Sequence, residues 1–310
     1  VTSKGKTETV SPRATGRSQL IAWHGWRLNV PDAWNPVKVD GDRDQGVLLL
    51  ADMFQAKLGL RWRRMKRGDP ATWANRSLEA EVGKLAAAEA VDHPMPDGSD
   101  WRVSKLYIDK EPPGRDIWVG WSQKSGRVLE VVHHAKTRDP VLADQVLPTV
   151  SDTQSTEPQA WSIYDFSAIT PAEWSLKWFR LNAGDLTLAF ANQRRSIRLR
   201  QVGPATLALS RMDLDDWIGQ LDKAYRKIYR EAQNLSDATL QLPTRALKGR
   251  SGVFRRKRRL FWAFRFANEV RTLGFHDPVR NRLLMAQGDD EPAMREMIAT
   301  MGWASAEMKK

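Results

Sequence analysis

An internal duplication limits what this chain can fold into more than any other feature. The stretch Trp26-Arg-Leu-Asn-Val-Pro31-Asp-Ala-Trp34 matches Phe166-Ser-Ala-Ile-Thr-Pro171-Ala-Glu-Trp174, and both place Pro and Trp three residues apart after an extended segment. Gly46-Val-Leu-Leu-Leu-Ala then matches Gly184-Asp-Leu-Thr-Leu-Ala, and Leu58-Gly-Leu-Arg-Trp-Arg is followed in kind by Ser196-Ile-Arg-Leu-Arg. Apolar runs and alternations of this length read as strands. Shared order and spacing then mean two copies of one structural unit. A length of 310 residues is about two domains at roughly 150 residues each.

After three strands each copy turns helical. Asp69-Pro70 opens a segment to about Ala90 in which Trp73, Leu78, Val82, Leu85 and Ala86 recur near the helical period, and Asp213 opens one to Ala232 with Trp217, Leu221, Ala224, Tyr225 and Ile228 on one face. Three further strands are predicted around 101–108, 115–122 and 127–134, and again around 238–245, 259–268 and 279–287. Short helices from Pro140 to Val150 and from Pro292 to Met301 close the copies, each with Pro in the first turn. The expected fold is α+β: two tandem βββ-α-βββ-α modules, each a mostly antiparallel sheet with a helix packed across it. The expected boundaries are a disordered basic tail at 1–18, a first module at 19–152, a linker at 153–158, a second module at 159–303 and a C-terminal tail at 304–310.

An extended segment ending in Pro-x-x-Trp, a strand pair, an amphipathic helix and three more strands together resemble the Mog1/PsbP-like fold. Trp26 to Trp34, Gly46 to Arg63 and their counterparts in the second half carry the resemblance. Tandem duplication departs from the single-domain members of that group. The resemblance implies a non-catalytic module that docks onto something else, members binding a small GTPase or the lumenal face of a photosystem.

The chemistry of the chain agrees with a binding role. There is no Cys, so disulfides, thiolate metal sites and cysteine nucleophiles are excluded. No phosphate-binding loop, dinucleotide fingerprint, nucleophile elbow or zincin motif occurs. His133 and His134 are neighbours on a predicted strand and point to opposite faces, which does not suit a shared ion. Asp40, Asp42 and Asp44 lack the glycine and terminal glutamate of a calcium loop. The expectation is a protein that is not an enzyme and has no cofactor or metal. An enzymatic alternative would need a polar pocket between the modules, lined by His24 or His134. The absence of a long apolar run or a secretory h-region points to a cytoplasmic protein with no membrane insertion.

The strongest local signal is positive charge. Lys and Arg number 49 against 37 Asp and Glu, a net charge of +12, which favours polyanions or acidic proteins as partners. From Arg245 to Arg259 the sequence RALKGRSGVFRRKRR holds Arg245, Lys248, Arg250, Arg255, Arg256, Lys257, Arg258 and Arg259 with no acidic residue. Gly249, Ser251 and Gly252 make it read as a long, mobile, cationic hairpin. Arg61, Arg63, Arg64, Lys66 and Arg67 form a second cluster, and Arg194, Arg195, Arg198 and Arg200 its counterpart in the second copy. Alternation in Arg61-Trp62-Arg63 and Arg198-Leu199-Arg200 places the Arg residues on one sheet face. These seventeen residues are the expected binding surface. The leading expectation is an accessory or scaffold subunit docking onto a larger protein assembly with an acidic surface. The alternative is sequence-tolerant nucleic-acid binding through the same residues.

Overall fold

The computed structural model describes residues 17–65, 69–70, 72–73, 76, 79, 88–91, 101–109, 116–122, 124–134, 142–193, 195–219, 227–230, 235–242, 245–257 and 267–302. The first repeat opens with a hairpin of β1 (Ser18–Trp23) and β2 (Trp26–Pro31). It continues through β3 (Asn35–Gly41), β4 (Gln45–Ala51), β5 (Ala56–Arg64), β6 (Ala88–Val91), β7 (Trp101–Asp109), β8 (Asp116–Ser122) and β9 (Arg127–His133). These seven make one antiparallel sheet in the order β3-β4-β5-β9-β8-β7-β6. The short β10 (Ser151–Asp152) follows. The second repeat has its own opening hairpin, β11 (Gln159–Ile163) and β12 (Phe166–Thr170). Then come β13 (Ser175–Asn182), β14 (Asp185–Asn192), β15 (Arg195–Val202), β16 (Ser236–Gln241), β17 (Ala246–Arg255), β18 (Glu269–Asp277) and β19 (Arg282–Gly288). Their order, β13-β14-β15-β19-β18-β17-β16, repeats that of the first sheet.

Strand alternation explains where the core lies. On β5, Leu58, Leu60 and Trp62 are buried while Arg61 and Arg63 are exposed, and each buried Leu contributes about 1.5–3 kcal/mol over its exposed state. These residues pack with Leu28 and Val30 of β2, so the first large sheet and the opening hairpin enclose apolar side chains between them. The Pro-x-x-Trp segments are turns that lead from the hairpin into the large sheet. Trp34 N–H donates to Pro31 O at 2.9 Å, Trp174 N–H to Pro171 O at 3.1 Å, and both indoles are buried in the core.

The two hairpins belong to a third sheet, β10-β2-β1-β11-β12, which joins the repeats. In it Ala22 of β1 lies opposite Ser162 of β11. Both residues precede the turns that lead into the matched Trp26 and Phe166, so they are equivalent positions. Antiparallel pairing of equivalent strands at equivalent residues is the arrangement of an isologous two-fold interface. The repeats are thus related by a pseudo-dyad through this pair. Trp23 meets Trp161 and Phe179 of the other repeat edge-on, with ring centroids 5.4 and 5.1 Å apart. A single buried apolar cluster runs through both halves.

This architecture corrects the expected α+β fold. The described residues form three antiparallel sheets, and the main core lies between sheets rather than under one long helix. The helices are short: α1 (Ala205–Leu209), α2 (Leu214–Gly219) and α3 (Glu291–Ala299). The first two cover the outer face of the second sheet, with Trp217 and Ile218 against Leu283 and Met285. Three causes account for the error. The hairpin strands β1 and β11 precede the matched segment, Ala88–Val91 is a strand where the helical period was extended to Ala90, and β17 is a strand where a loop was expected. Of the two long expected helices, 80–87 and 220–226 lie outside the described residues.

The duplicated register also corrects the alignment of Gly46 with Gly184. Asp40 pairs with Val47 and Arg180 with Thr187, and each edge strand bulges at the same place, between Pro36 and Lys38 and between Leu176 and Trp178. Leu48 is therefore the counterpart of Leu188, two residues on from the sequence match. A two-residue slip leaves every side chain on its face, so the apolar pattern could not detect it.

Below the seam the end of the first repeat is pinned by charge. Arg127 and Asp152 form an ion pair in which both side chains are 0% exposed. Arg127 Nε donates to Asp152 Oδ2 at 3.0 Å and Nη1 to the carbonyls of His24 and Arg43 at 2.8 and 2.7 Å. Its guanidinium also lies 4.8 Å over the Trp26 ring. Ser151 and Asp152 pair with Arg27 and Trp26 as β10.

Candidate functional site

The expected basic surface is largely a set of ion pairs. Arg61 lies 3.4 Å from Glu130, Arg64 3.1 Å from Asp44, Arg195 2.5 Å from Asp290 and Arg245 2.6 Å from Asp277. Arg200 holds Asp185 through Nε and Nη2 at 2.8 and 2.9 Å, and Arg250 holds Asp215 twice at 2.8 Å while also meeting Asp237. Arg255 pairs with Glu269 at 3.0 Å. Arg63 stacks over Trp73 and Arg198 over Trp178, 5.9 and 5.0 Å from the ring centroids. Lys248 is exposed, and Arg256 and Lys257 are tied through their backbones to Asn268 and Ile228. Lys66, Arg67, Arg194, Arg258 and Arg259 lie outside the described residues.

Residues 246–255 are not the mobile hairpin the sequence suggested. They are β17, an interior strand held between β16 and β18. Gly249, read as a turn residue, sits where a Cβ would run into Gly274 O and the Phe275 ring. Glycine inside a strand marks such a close approach.

A different feature stands out at the turn between β4 and β5. Met53 and Phe54 are 86% and 83% exposed at its tip. The turn is well ordered: one Asp52 oxygen accepts the N–H groups of Phe54 and Gln55, both at 2.8 Å, and the other lies 3.1 Å from Lys57 Nζ. Those two N–H donors, and then Lys57, hold the Asp52 carboxyl below its ordinary range. Val37, also exposed, occupies the bulge of neighbouring β3 at the same end of the sheet, where Asn35 pairs with Ala51. The second repeat has Asn192-Gln193-Arg194-Arg195 at the equivalent turn and Lys177 at the equivalent bulge. The apolar tip is therefore not a requirement of the fold.

The second site is a cavity of about 280 Å³ at the seam between the repeats, bounded by His24, Asp42, Arg43, Trp161, Trp174 and Lys177 among others. His24 occupies the hairpin turn between β1 and β2 with φ +50°, in the left-handed region. Its ring stands edge-on to Trp161, centroids 5.3 Å apart, and is only 5% exposed. Nε2 has no hydrogen-bond partner. Burial above all, helped by the Arg127 and Arg43 cations and opposed by Asp42 and a hydrogen bond to the Gly41 backbone, lowers the imidazole pKa to about 4. Arg43 reaches Gln159 Oε1 at 2.5 Å and the Thr153 carbonyl, and its Nε is buried without a partner. Burial first, then Arg127, lowers its pKa to about 10.

His24 thus lines a cavity of mixed polar and apolar character between the repeats. His134 does not share it; its N–H donates to Lys57 O at 3.0 Å, on β5. Among the described residues no three His, Asp or Glu side chains come together as a metal site.

No family model matches the chain, and no curated protein does. Two solved structures show weak likeness. One is the immunity protein TplEi of the T6SS from Pseudomonas aeruginosa, at 10% identity and TM-score 0.34 over 94% of this chain and 98% of that one. The other is a protein from Bacteroides thetaiotaomicron VPI-5482, at 15% identity and TM-score 0.31 over 50% of this chain. The match spans 54% of that protein's own length.

Proposed function

We propose that this chain is a non-enzymatic accessory protein that docks onto a larger protein assembly, with the Met53–Phe54 turn as its anchor. The observation that carries this reading is an ordered turn presenting two large apolar side chains to solvent in one repeat and polar residues in the other. Exposed apolar side chains on a rigid support make effective anchors, because little entropy is lost when they enter a partner's pocket. Burying both would contribute about 1.5–3 kcal/mol each. The net charge of +12 suits a partner with an acidic rim around that pocket.

The pairing of most described arginines with carboxylates or Trp rings favours a protein partner over nucleic acid. Among the described residues no helix is long and apolar enough to cross a membrane.

The test uses the second repeat as a template. Met53→Gln with Phe54→Arg copies the residues of the equivalent turn and leaves the core untouched. The double variant is expected to keep the wild-type circular dichroism spectrum and melting temperature. It is also expected to lose at least tenfold in affinity, about 1.4 kcal/mol, for proteins that wild type captures from native lysate. Equal recovery of the same proteins by both forms would contradict the proposal.

A further inference from the structure

The pseudo-dyad supplies an internal control for the seam cavity. The counterpart of His24 is Tyr164, at the same turn position and with φ +54°. On that side the hydroxyl of Tyr164 donates to the Pro36 carbonyl at 2.5 Å, bridging from the hairpin to the start of β3. On the His24 side, Leu176 of β13 stands where Pro36 does, and His24 and Leu176 border the cavity. The shorter imidazole ends with Nε2 unpartnered.

Charge follows the same asymmetry. Asp42, Arg43 and Asp44 border the cavity where the other repeat has Asn182, Ala183 and Gly184, and Lys177 borders it where the other repeat has Val37. Four ionisable residues are thus gathered on the open side and none at their counterparts. Asp42 gives one oxygen, Oδ1, to the N–H groups of Asp44 and Gln45 at 2.7 and 2.9 Å. Asp44 is held by Arg64. The Arg43 Nε remains a buried donor without an acceptor, and the walls include the Trp161 and Trp174 indoles.

We propose that this cavity binds a small zwitterion of the size of a free α-amino acid. The cavity is near the lower end of the range for small-molecule sites, roughly 300–1,000 Å³, and such sites favour the junction between structural units. An ammonium group matches the acceptors on one part of the rim, neutral His24 Nε2 and the Asp42 carboxylate. A carboxylate matches the donors, Arg43 Nε and Lys177. The indoles offer an apolar surface to whatever side chain the ligand carries. A singly charged ligand would leave one set of groups without a partner, which selects for both charges on one molecule.

Thermal unfolding of the full chain in the presence of each of the twenty L-amino acids tests this, with acetate and methylammonium as singly charged probes. At least one amino acid is expected to raise the melting temperature by about 2 °C when present at tenfold its dissociation constant, and neither singly charged probe is expected to do so. His24→Tyr copies the closed side and should abolish the shift, whereas Tyr164→His should leave it intact. Lys177→Val, also copied from the other repeat and on an exposed bulge, should weaken binding at least tenfold. It decides the matter should His24→Tyr fail to fold. The proposal is overturned by the absence of a shift with all twenty, each tested up to about 10 mM or its solubility limit, tenfold above a dissociation constant of about 1 mM. An undiminished shift in a folded His24→Tyr variant or in Lys177→Val overturns it equally.

Discussion

Asp152→Ala is expected to lower the free energy of unfolding by about 3–5 kcal/mol, the usual cost of removing one partner from a fully buried ion pair. The carboxylate accepts Arg127 Nε and Nη2 and the Ser125 hydroxyl in a site where neither charged side chain reaches solvent. Without it the guanidinium is left with two backbone carbonyls and the Trp26 ring, all neutral. Because the pair fastens β10 to the turn of the first hairpin, the loss should fall on the whole molecule. Urea unfolding measures it. Arg127→Met combined with Asp152→Ala should recover part of the loss, since no charge then remains unpaired, and the coupling in that double-mutant cycle should exceed about 1 kcal/mol. Additive effects would show that the pair contributes nothing beyond its separate contacts.

Acidification should reveal the buried His24 with an effect of similar size. An imidazole with a pKa near 4 in the folded chain and an ordinary value of 6.5 when unfolded binds its proton more readily in the unfolded state. Stability from this group is therefore complete above about pH 6.5 and is lost as pH falls through that value toward 4, by about 3 kcal/mol in all. The charged groups facing the ring are Asp42, Arg127 and Arg43. The two cations oppose protonation and Asp42 favours it. Asn tolerates the left-handed backbone of this turn, so His24→Asn is the suitable comparison. It is expected to flatten the stability profile between pH 6.5 and 4 relative to wild type. An equal slope in both proteins would place the acid sensitivity elsewhere.

The duplication was readable because Pro31-x-x-Trp34 and Pro171-x-x-Trp174 place the same two residue types in the same turn, each closing it with a Trp N–H and burying the indole. The shared sheet was not readable. β1 and β11 look like any apolar strands, and nothing local says that Ala22 will face Ser162 across a pseudo-dyad. Arg127 and Asp152 were equally hidden, because Asp152 lies beside a polar stretch that resembles a solvated linker and its partner is on a distant strand. The arginines of β17 were visible as charge, but their neutralisation by Asp215, Asp237 and Glu269 depends on strand order. The apolar turn does have a sequence signal: Met53-Phe54 lies between two strands where the other copy has polar residues. In the sequence His24 is only one of two residues, with His134, that a pocket between the modules would need; its place at the cavity wall depends on the pairing of β1 with β11.

The repeats form one body through the five-stranded sheet. Equilibrium urea unfolding followed by tryptophan fluorescence and by far-ultraviolet circular dichroism tests this most directly. One shared sheet and one continuous core require a single transition with coincident midpoints and a denaturant slope that reflects the surface of both repeats. Two separated transitions, each with a slope suited to half the chain, would mean that the seam does not unite them.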